Sequence, residues 1–366
     1  MWRILICRKV IKKVLTEEKS LMVIAGGGGF LGSNLAAMFS SYPNLSVVVL
    51  DNWTCSDEKL TRDFLEPQGV KVLTYDLLLD QDHNIEEVLT LNGVEFDNIP
   101  VFVLNFASIP TPRNYLHLPL RTFSVNVYGT HSLLRFATRV KALYIQASTS
   151  EVYGNLDKAA DEDAEMCGVN PVNPRACYAE SKRAAETLCK IYAQTHSDLD
   201  VWILRIFNVY GNRMTDTDGR VIPEFIKNTL RGDRCIINGY RSRCFMHSSD
   251  FCRVVEKIVT GSYNRDAVSE TNLITINVGN PETHTLREVY EMIHDECEKV
   301  VAHPVEKRYT IDENNTTNDD PKFRMPGMSL FNLVFPSFRY RVDLRTGIQR
   351  MVRSFYNRSI SDSQTH

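Results

Sequence analysis

Nowhere do the 366 residues run to about 18 uninterrupted apolar positions, the length a membrane-spanning helix requires. The opening stretch MWRILICRKVIKKVLTEEKS is broken by Arg3, Arg8, Lys9, Lys12 and Lys13. It reads as a short helical arm packed on the domain rather than a signal peptide or anchor, the other reading being a cationic amphipathic helix at a membrane surface. Nine cysteines occur, an odd number, with no C-x-x-C pair and no zinc-type Cys/His spacing. That excludes a disulfide framework and a metal site of known spacing, and predicts reduced thiols in a reducing compartment, the cytoplasm. Charge of one sign is also lacking: Lys plus Arg number 42 against 45 Asp plus Glu, for a formal charge of −3, so no basic field attracts a nucleic acid. No internal repeat is present.

With 43% hydrophobic and 24% charged residues, the chain has enough apolar material for one large or two modest domains. From Leu21 short apolar runs alternate with helix-like stretches, the pattern of βαβ units and a doubly wound parallel α/β sheet. The strands are expected at Leu21–Ala25, Val47–Leu50, Val70–Tyr75, Val101–Ala107, Leu143–Ala147, Val201–Phe207 and Ile274–Val278, each apolar enough to be buried on both faces. Helical periodicity covers Phe30–Ser40, Thr122–Val140, Tyr178–His196, Val221–Leu230, Asp250–Thr260 and Leu286–Val300. After Phe207 the turn-rich NVYGNRMTDTDGR marks a change of rhythm, which places a smaller lobe interleaved with the first. The division expected is 1–206 and 246–280 for a dinucleotide-binding Rossmann-type domain, 207–245 and 281–355 for a C-terminal substrate-binding lobe, and 356–366 for a flexible tail. TIDENNTTNDD (310–320) is too polar to pack and reads as a surface loop.

The run LMVIAGGGGFLGSNLAAMF sets Gly26, Gly29 and Gly32 between a strand and a helix, fitting G-x-x-G-x-x-G, and G-x-G-x-x-G from Gly27. Glycine is needed where backbone must turn tightly and approach a pyrophosphate facing a helix N-terminus. Asp51 follows Gly32 by 19 residues at the end of the next apolar strand, where a ribose-binding acid belongs. A carboxylate there repels a 2′-phosphate, and Asn52, Trp53 and Thr54 supply no adjacent cation, so NAD is favoured over NADP.

Two further segments carry chemistry. ASTSEVYG (147–154) follows a strand, and YAESK (178–182) opens a helix with Tyr178 and Lys182 on one face at i and i+4. A tyrosine is a poor base at neutral pH, with a pKa of about 10, and bringing it to neutrality takes roughly 4 kcal/mol of differential stabilisation. A nearby ammonium and an oxidised nicotinamide could supply it. With the Thr149 hydroxyl, the group suits hydride transfer from a secondary alcohol.

These segments, together with NPRACYAESKRAAETLC, RIFNVYGNRM, DGRVIPEFI, RCF at Arg243, NVGNPETHT and DDPKFRMP, resemble the extended short-chain dehydrogenase/reductase family over about Leu21 to Phe355. Within it they are similar to the UDP-glucuronate decarboxylase (UDP-xylose synthase) group. The resemblance implies C4 oxidation of UDP-glucuronate by NAD+, loss of CO2 from the resulting β-keto acid, protonation at C5 and re-reduction to UDP-xylose. By motif match Tyr178 is the base and Lys182 tunes it, Thr149 and Ser150 bond the sugar hydroxyl region, and Glu151 and Arg324 assist at the C5 and carboxylate end. Phe30, Leu31, Asn52, Asp76, Leu77 and Ala107 fall to the cofactor, Tyr115 to the substrate. Asn208, Arg220 and Arg243 match nucleotide or phosphate contacts, with Arg220 alternatively serving the cofactor. The resemblance also implies a homodimer through a four-helix bundle of Thr122–Val140 and Tyr178–His196.

Relatives that dehydrate nucleotide-hexoses place an Asp-Glu pair where this chain has Ser150 and Glu151, and a serine hydroxyl cannot act as that acid. Epimerisation ranks below decarboxylation because 4-epimerases usually lack the acid at the Glu151 position. The nearest competing activity is oxidative decarboxylation that releases a 4-keto pentose and NADH. A non-catalytic NAD-binding scaffold is disfavoured because Tyr178, Lys182, Thr149 and Glu151 are all present. Three positions depart from the family pattern: Arg113 replaces a proline, Ser124 a frequent lysine, and Gly327 follows RMP where Asp is usual. Arg113 and Ser124 lie close in sequence to the substrate side, which leaves a changed sugar preference or altered product release open.

Overall fold

A computed structural model describes residues 18–78, 84–156, 158–166, 170–239, 241–268, 272–301, 304–312 and 324–364. The N-terminal arm and most of the 310–320 loop lie outside these residues. Only Thr310 to Asp312 of that loop are described, and they are strand rather than loop.

All seven expected strands form one parallel sheet. In chain order they are β1 (Ser20–Ala25), β2 (Leu45–Asp51), β3 (Lys71–Thr74), β4 (Val101–Asn105), β5 (Leu143–Thr149), β6 (Asp200–Ile206) and a late strand, Leu273–Val278. Their spatial order is β3-β2-β1-β4-β5-β6 with the late strand at the edge beside β6. Every pairing is parallel, from Ala25 opposite Leu50 and Asn105 to Val278 opposite Ile206. The chain reverses its direction of winding between β1 and β4. Crevices for ligands open at such a switch point, beyond the carboxyl ends of the strands.

Helices cover both faces because the strands are apolar on both. On one side α1 (Phe30–Phe39) buries Leu35, Ala36 and Phe39 against Met22, Ile24, Val49 and Leu104. On the other, Leu133, Leu134 and Phe136 join Val23, Val103, Tyr144 and Cys189. Trp202 on β6 is fully buried, and truncating such a side chain to alanine costs about 3–5 kcal/mol.

The stretch read as one helix from Thr122 to Val140 is not uniform. A short helix over Pro119–Ser124 runs into a π-helical turn at Val125–Gly129 and resumes as α-helix over Thr130–Arg139. The widened turn seats Asn126, whose amide accepts from Ser108 at 2.8 Å and donates to Ser181 at 2.9 Å. Polar side chains from the loop after β4 and from the helix of Tyr178 are thereby tied together.

The smaller lobe has its own core of Ile222, Phe225, Ile226, Val289, Tyr290, Ile293, Ile348, Met351 and Val352. It is drawn from the helices Val221–Arg231, Leu286–Val301 and Leu344–Gln364. Three two-stranded ladders, too short to read from the sequence, stand apart from the large sheet, and one of them, Val209–Tyr210 with Met246–His247, joins the lobe to the segment leading back to the sheet domain. Residues 356–364 were expected to fray, yet the last helix carries through Gln364. Its apolar start packs on the lobe and the polar end continues the same hydrogen-bonded ladder.

Candidate active site

Beyond the switch point lies a cleft of about 580 Å³ that runs from the glycine turn to the smaller lobe. At its floor Gly26 turns the chain at φ +71°, and a Cβ there would stand 2.6 Å from the backbone of Phe106 and Ala107. Only glycine permits β1 to turn this close to the end of β4. The helix α1 then begins at Gly29 with no side chain capping its first N–H groups, which leaves donors and the positive end of the helix dipole facing the cleft.

Asp51 is buried at the tip of β2. Its Oδ2 accepts from Gly28 N at 2.8 Å, and its Oδ1 accepts from Trp53 N and the Ser56 hydroxyl, both at 2.9 Å. The carboxylate therefore shapes the glycine turn and still has acceptor capacity toward the cleft, where it lines the wall with Asn52 and Leu77. Asp51→Ala should weaken NAD binding by about tenfold or more, since it removes a charge-assisted acceptor and the tie to Gly28. Titration of the variant with NAD by calorimetry checks this, and unchanged affinity would move the ribose contact elsewhere.

The end of β5 and the helix Ala176–Thr195 bring the reacting group together. Tyr178 and Lys182 are both buried, with the ammonium 5.9 Å from the phenol ring centroid and donating to the Ala147 carbonyl at 2.9 Å. Burial brings the Lys182 pKa down to about 8, against the opposing charge of Glu186. Burial, followed by the nearby Glu151 carboxylate, raises the Tyr178 pKa well above its ordinary value, while a hydrogen bond with Thr149 and the charge of Arg220 act the other way. Burial thus outweighs the groups that favour the phenolate in the protein alone. The ammonium is committed to a backbone carbonyl, and activation needs a further positive charge in the cleft.

Thr149, Ser150, Glu151 and Arg324 all line the same wall. Glu151 Oε1 stands 3.4 Å from Arg324 Nη2 and 3.9 Å from Arg175 Nη2. Arg175 was not singled out from the sequence, although it sits inside the quoted NPRACY run. Phe30, Leu31, Gly32, Ala107, Asn208, Arg220 and Arg243 also line the cleft. Arg220 is held by Asp218 through its Nε at 2.5 Å and Nη2 at 2.6 Å and lies over the Phe30 ring, on the cofactor side. Asn208 donates to the Cys244 carbonyl at 3.0 Å, which ties the substrate side to the lobe.

Two expected contacts are not at the cleft surface. Asp76 is paired with Arg121, and it is Arg121 that lines the wall. Tyr115 is fully buried, and its ring stacks on that of Tyr178, the centroids 5.3 Å apart at an interplanar angle of 5°. Arg113 and Ser124 do not line the cleft either; Arg113 lies beside Gly219, in the loop that carries Arg220. Gly327 has a clear cause: the Asp161 carboxylate occupies the space a side chain there would need. The segments are bridged by Gly327 N donating to Ala160 O at 2.7 Å and Ala160 N to Met325 O at 2.9 Å.

A glycine turn at the switch point of a parallel sheet, an acid at the second strand and a buried tyrosine–lysine pair define a dinucleotide-dependent enzyme of the short-chain dehydrogenase/reductase type. The chain belongs to the NAD dependent epimerase/dehydratase family, whose model matches residues 22–279. NAD is the cofactor of that family, and the uncapped helix start and the Asp51 carboxylate fit it. Among curated proteins the chain is 33% identical over 351 residues to UDP-glucuronic acid decarboxylase 1 of Arabidopsis thaliana, covering 95% of this chain and 72% of that protein. To UDP-glucuronic acid decarboxylase 1 of Danio rerio it is 29% identical, covering 94% and 75%. Among solved structures, a UDP-glucose 4-epimerase from Thermotoga maritima with UDP-glucose superposes with a TM-score of 0.74 at 18% identity, over 93% of this chain and 99% of that one.

Proposed function

We propose that the chain converts UDP-glucuronate to UDP-xylose by a redox-neutral decarboxylation. The observation that carries this reading is the Ser150–Glu151–Arg324 group beside Tyr178: a carboxylate and a guanidinium 3.4 Å apart, and a serine where dehydration would need an acid. The relatives named as UDP-glucuronic acid decarboxylases support it.

NAD, which the turn at Gly26 to Gly32 and the Asp51 carboxylate would hold, would supply the capacity to take a hydride from C4 of the sugar and give it back. The rest falls to the chain. Tyr178 takes the O4 proton, with Thr149 bonded to it, and C4 becomes a ketone β to the carboxylate. The C5–C6 bond then breaks, its electron pair delocalising into an enolate as CO2 leaves. Glu151 is placed to serve protonation at C5, and Tyr178 returns its proton to O4 as the alcohol re-forms. Lys182 holds the end of β5 through the Ala147 carbonyl, directly beside Thr149.

The sheet domain (1–206 and 246–280) would hold the cofactor and the smaller lobe (207–245 and 281–355) the nucleotide of the UDP-sugar. Dimerisation through the helices of Thr122–Val140 and Tyr178–His196 is supported by apolar side chains left on their outer faces, among them Tyr128 at 65% and Ile191 at 49% exposure, with Leu120 just before them at 84%. Light scattering should give twice the 41.8 kDa of one chain, and a monomer at micromolar concentration would contradict the bundle. A cytoplasmic setting follows from the thiol pattern of the sequence.

The test of the reaction is incubation of purified protein with NAD+ and UDP-glucuronate. CO2 release with UDP-xylose as the nucleotide product supports the assignment, and UDP-galacturonate as product would replace it with epimerisation.

A further inference from the structure

The first residue of the NVGNPETHT stretch, Asn277, is completely buried at the penultimate position of the late strand. A buried amide must satisfy its donors and its acceptor inside the protein. Asn277 does so on two separate segments. Its Oδ1 accepts from the Tyr153 hydroxyl at 2.7 Å, and Tyr153 closes the turn Ser150–Tyr153 that carries Glu151. Its Nδ2 donates to the Ala160 carbonyl at 2.7 Å and to the Gly327 carbonyl at 3.2 Å. Ala160 bridges in turn to Met325 and Gly327, so this side of the amide reaches the segment that carries Arg324. Asn277 itself is anchored by the sheet: its backbone pairs with Arg205, and its N–H donates to Glu162 Oε1 at 2.7 Å.

We propose that Asn277 is a positioning residue for the decarboxylation half of the reaction, setting Glu151 and Arg324 relative to each other by tying both of their segments to the rim of the sheet. This deepens the decarboxylase reading and rests on it. The groups assigned to hydride transfer are held by regular structure: Thr149 pairs with Ile206 in the sheet, and Tyr178 and Lys182 lie on a 20-residue helix. Glu151 instead lies in a four-residue turn past the end of β5, and Arg324 ahead of a single bridge between Ala160 and Pro326. Their relative position therefore depends on side-chain contacts, and a misplacement of about 1 Å at reacting groups costs roughly a hundredfold in rate. Asparagine fits the task because one acceptor and two donors on one small amide meet one hydroxyl and two carbonyls. An aspartate there would keep the bond from Tyr153 but set carboxylate oxygen against the two carbonyls.

The test is a single turnover of NAD-loaded wild type, Tyr153→Phe and Asn277→Asp with UDP-glucuronate, following NADH absorbance and CO2 release together. Both variants should oxidise C4 within about threefold of the wild-type rate and release CO2 about ten- to a hundredfold more slowly, so that NADH accumulates transiently. Affinity for UDP, measured by calorimetry, should stay within about twofold, since neither change touches the smaller lobe's side of the cleft. Tyr153→Phe keeps the ring and cuts only the tie to the Glu151 turn, so it decides the matter even where Asn277→Asp fails to fold. CO2 release by folded Tyr153→Phe at the wild-type rate would overturn the proposal. So would C4 oxidation slowed as much as CO2 release, which marks a general loss of structure. Wild type that releases no CO2 from UDP-glucuronate defeats the decarboxylase reading and the proposal with it. Wild type that releases CO2, beside a Tyr153→Phe variant of equal rate, defeats the positioning role alone.

Discussion

Tyr178→Phe should lower kcat by about 10²- to 10⁴-fold, the usual weight of a positioned general base, with NAD affinity unchanged. Phenylalanine keeps the ring stacked on Tyr115 and removes one buried hydroxyl, so the substitution is mild for the fold. What is lost is the hydroxyl to which the proposed mechanism assigns proton exchange with O4. Burial, followed by Glu151, raises the phenol's pKa in the protein alone, so the proposed base needs a further positive charge beside it. Single-turnover rates at saturating NAD+ and substrate test this directly. A rate within threefold of wild type would remove Tyr178 from the chemistry.

Arg205→Met should destabilise the fold by about 3–5 kcal/mol, the cost of leaving a buried charge without its partner. The Arg205 side chain is 7% exposed and Glu186 11%. Its guanidinium donates to Glu186 at 2.9 and 3.1 Å, to the Tyr153 hydroxyl at 3.0 Å and to the Glu162 carbonyl at 2.9 Å. Burial works against its charge, but Glu186 outweighs this and holds the guanidinium more firmly protonated than usual. Without it, the Glu186 carboxylate keeps, among the described residues, only the Ser148 hydroxyl as a hydrogen-bond donor, 2.5 Å away on the strand that ends in Thr149. The loss should therefore appear both as a lower urea midpoint and as poorer positioning of the catalytic strand. The double variant Arg205→Met/Glu186→Leu should recover part of the stability, since the stranded charge is gone. A double variant as unstable as the sum of the two single ones would show that the pair is not the cause.

The parts legible in the sequence are those where chemistry or burial fixes residue types at a fixed spacing. Doubly buried strands must be apolar throughout, so all seven strands of the sheet could be read. Glycine at set intervals, the acid at Asp51 and the i, i+4 pair of Tyr178 and Lys182 are likewise visible as spacings, and the fold brings them to one cleft. Contacts between distant segments leave no such mark. Asp76 pairs with Arg121, and the Tyr115 ring stacks on Tyr178, contacts that no spacing in the sequence announces. Arg175 lies within NPRACY, but only the fold brings it to 3.9 Å from the Glu151 carboxylate. The polar tail was misread because a helix begun on the lobe continues through residues whose own composition suggests none. Lys182 illustrates the same limit in electrostatics: its spacing from Tyr178 is visible, while its commitment to the Ala147 carbonyl is not.

The central claim is that hydride leaves C4 and returns to it around a loss of CO2, with a proton added at C5 between. Its most direct test is the reaction of the NAD-loaded enzyme with UDP-glucuronate in D2O, with the product analysed by NMR and mass while NADH absorbance is followed. The account predicts UDP-xylose carrying one solvent deuterium at C5, with no accumulating NADH. A 4-keto pentose formed with stoichiometric NADH, or UDP-xylose without deuterium at C5, would contradict it.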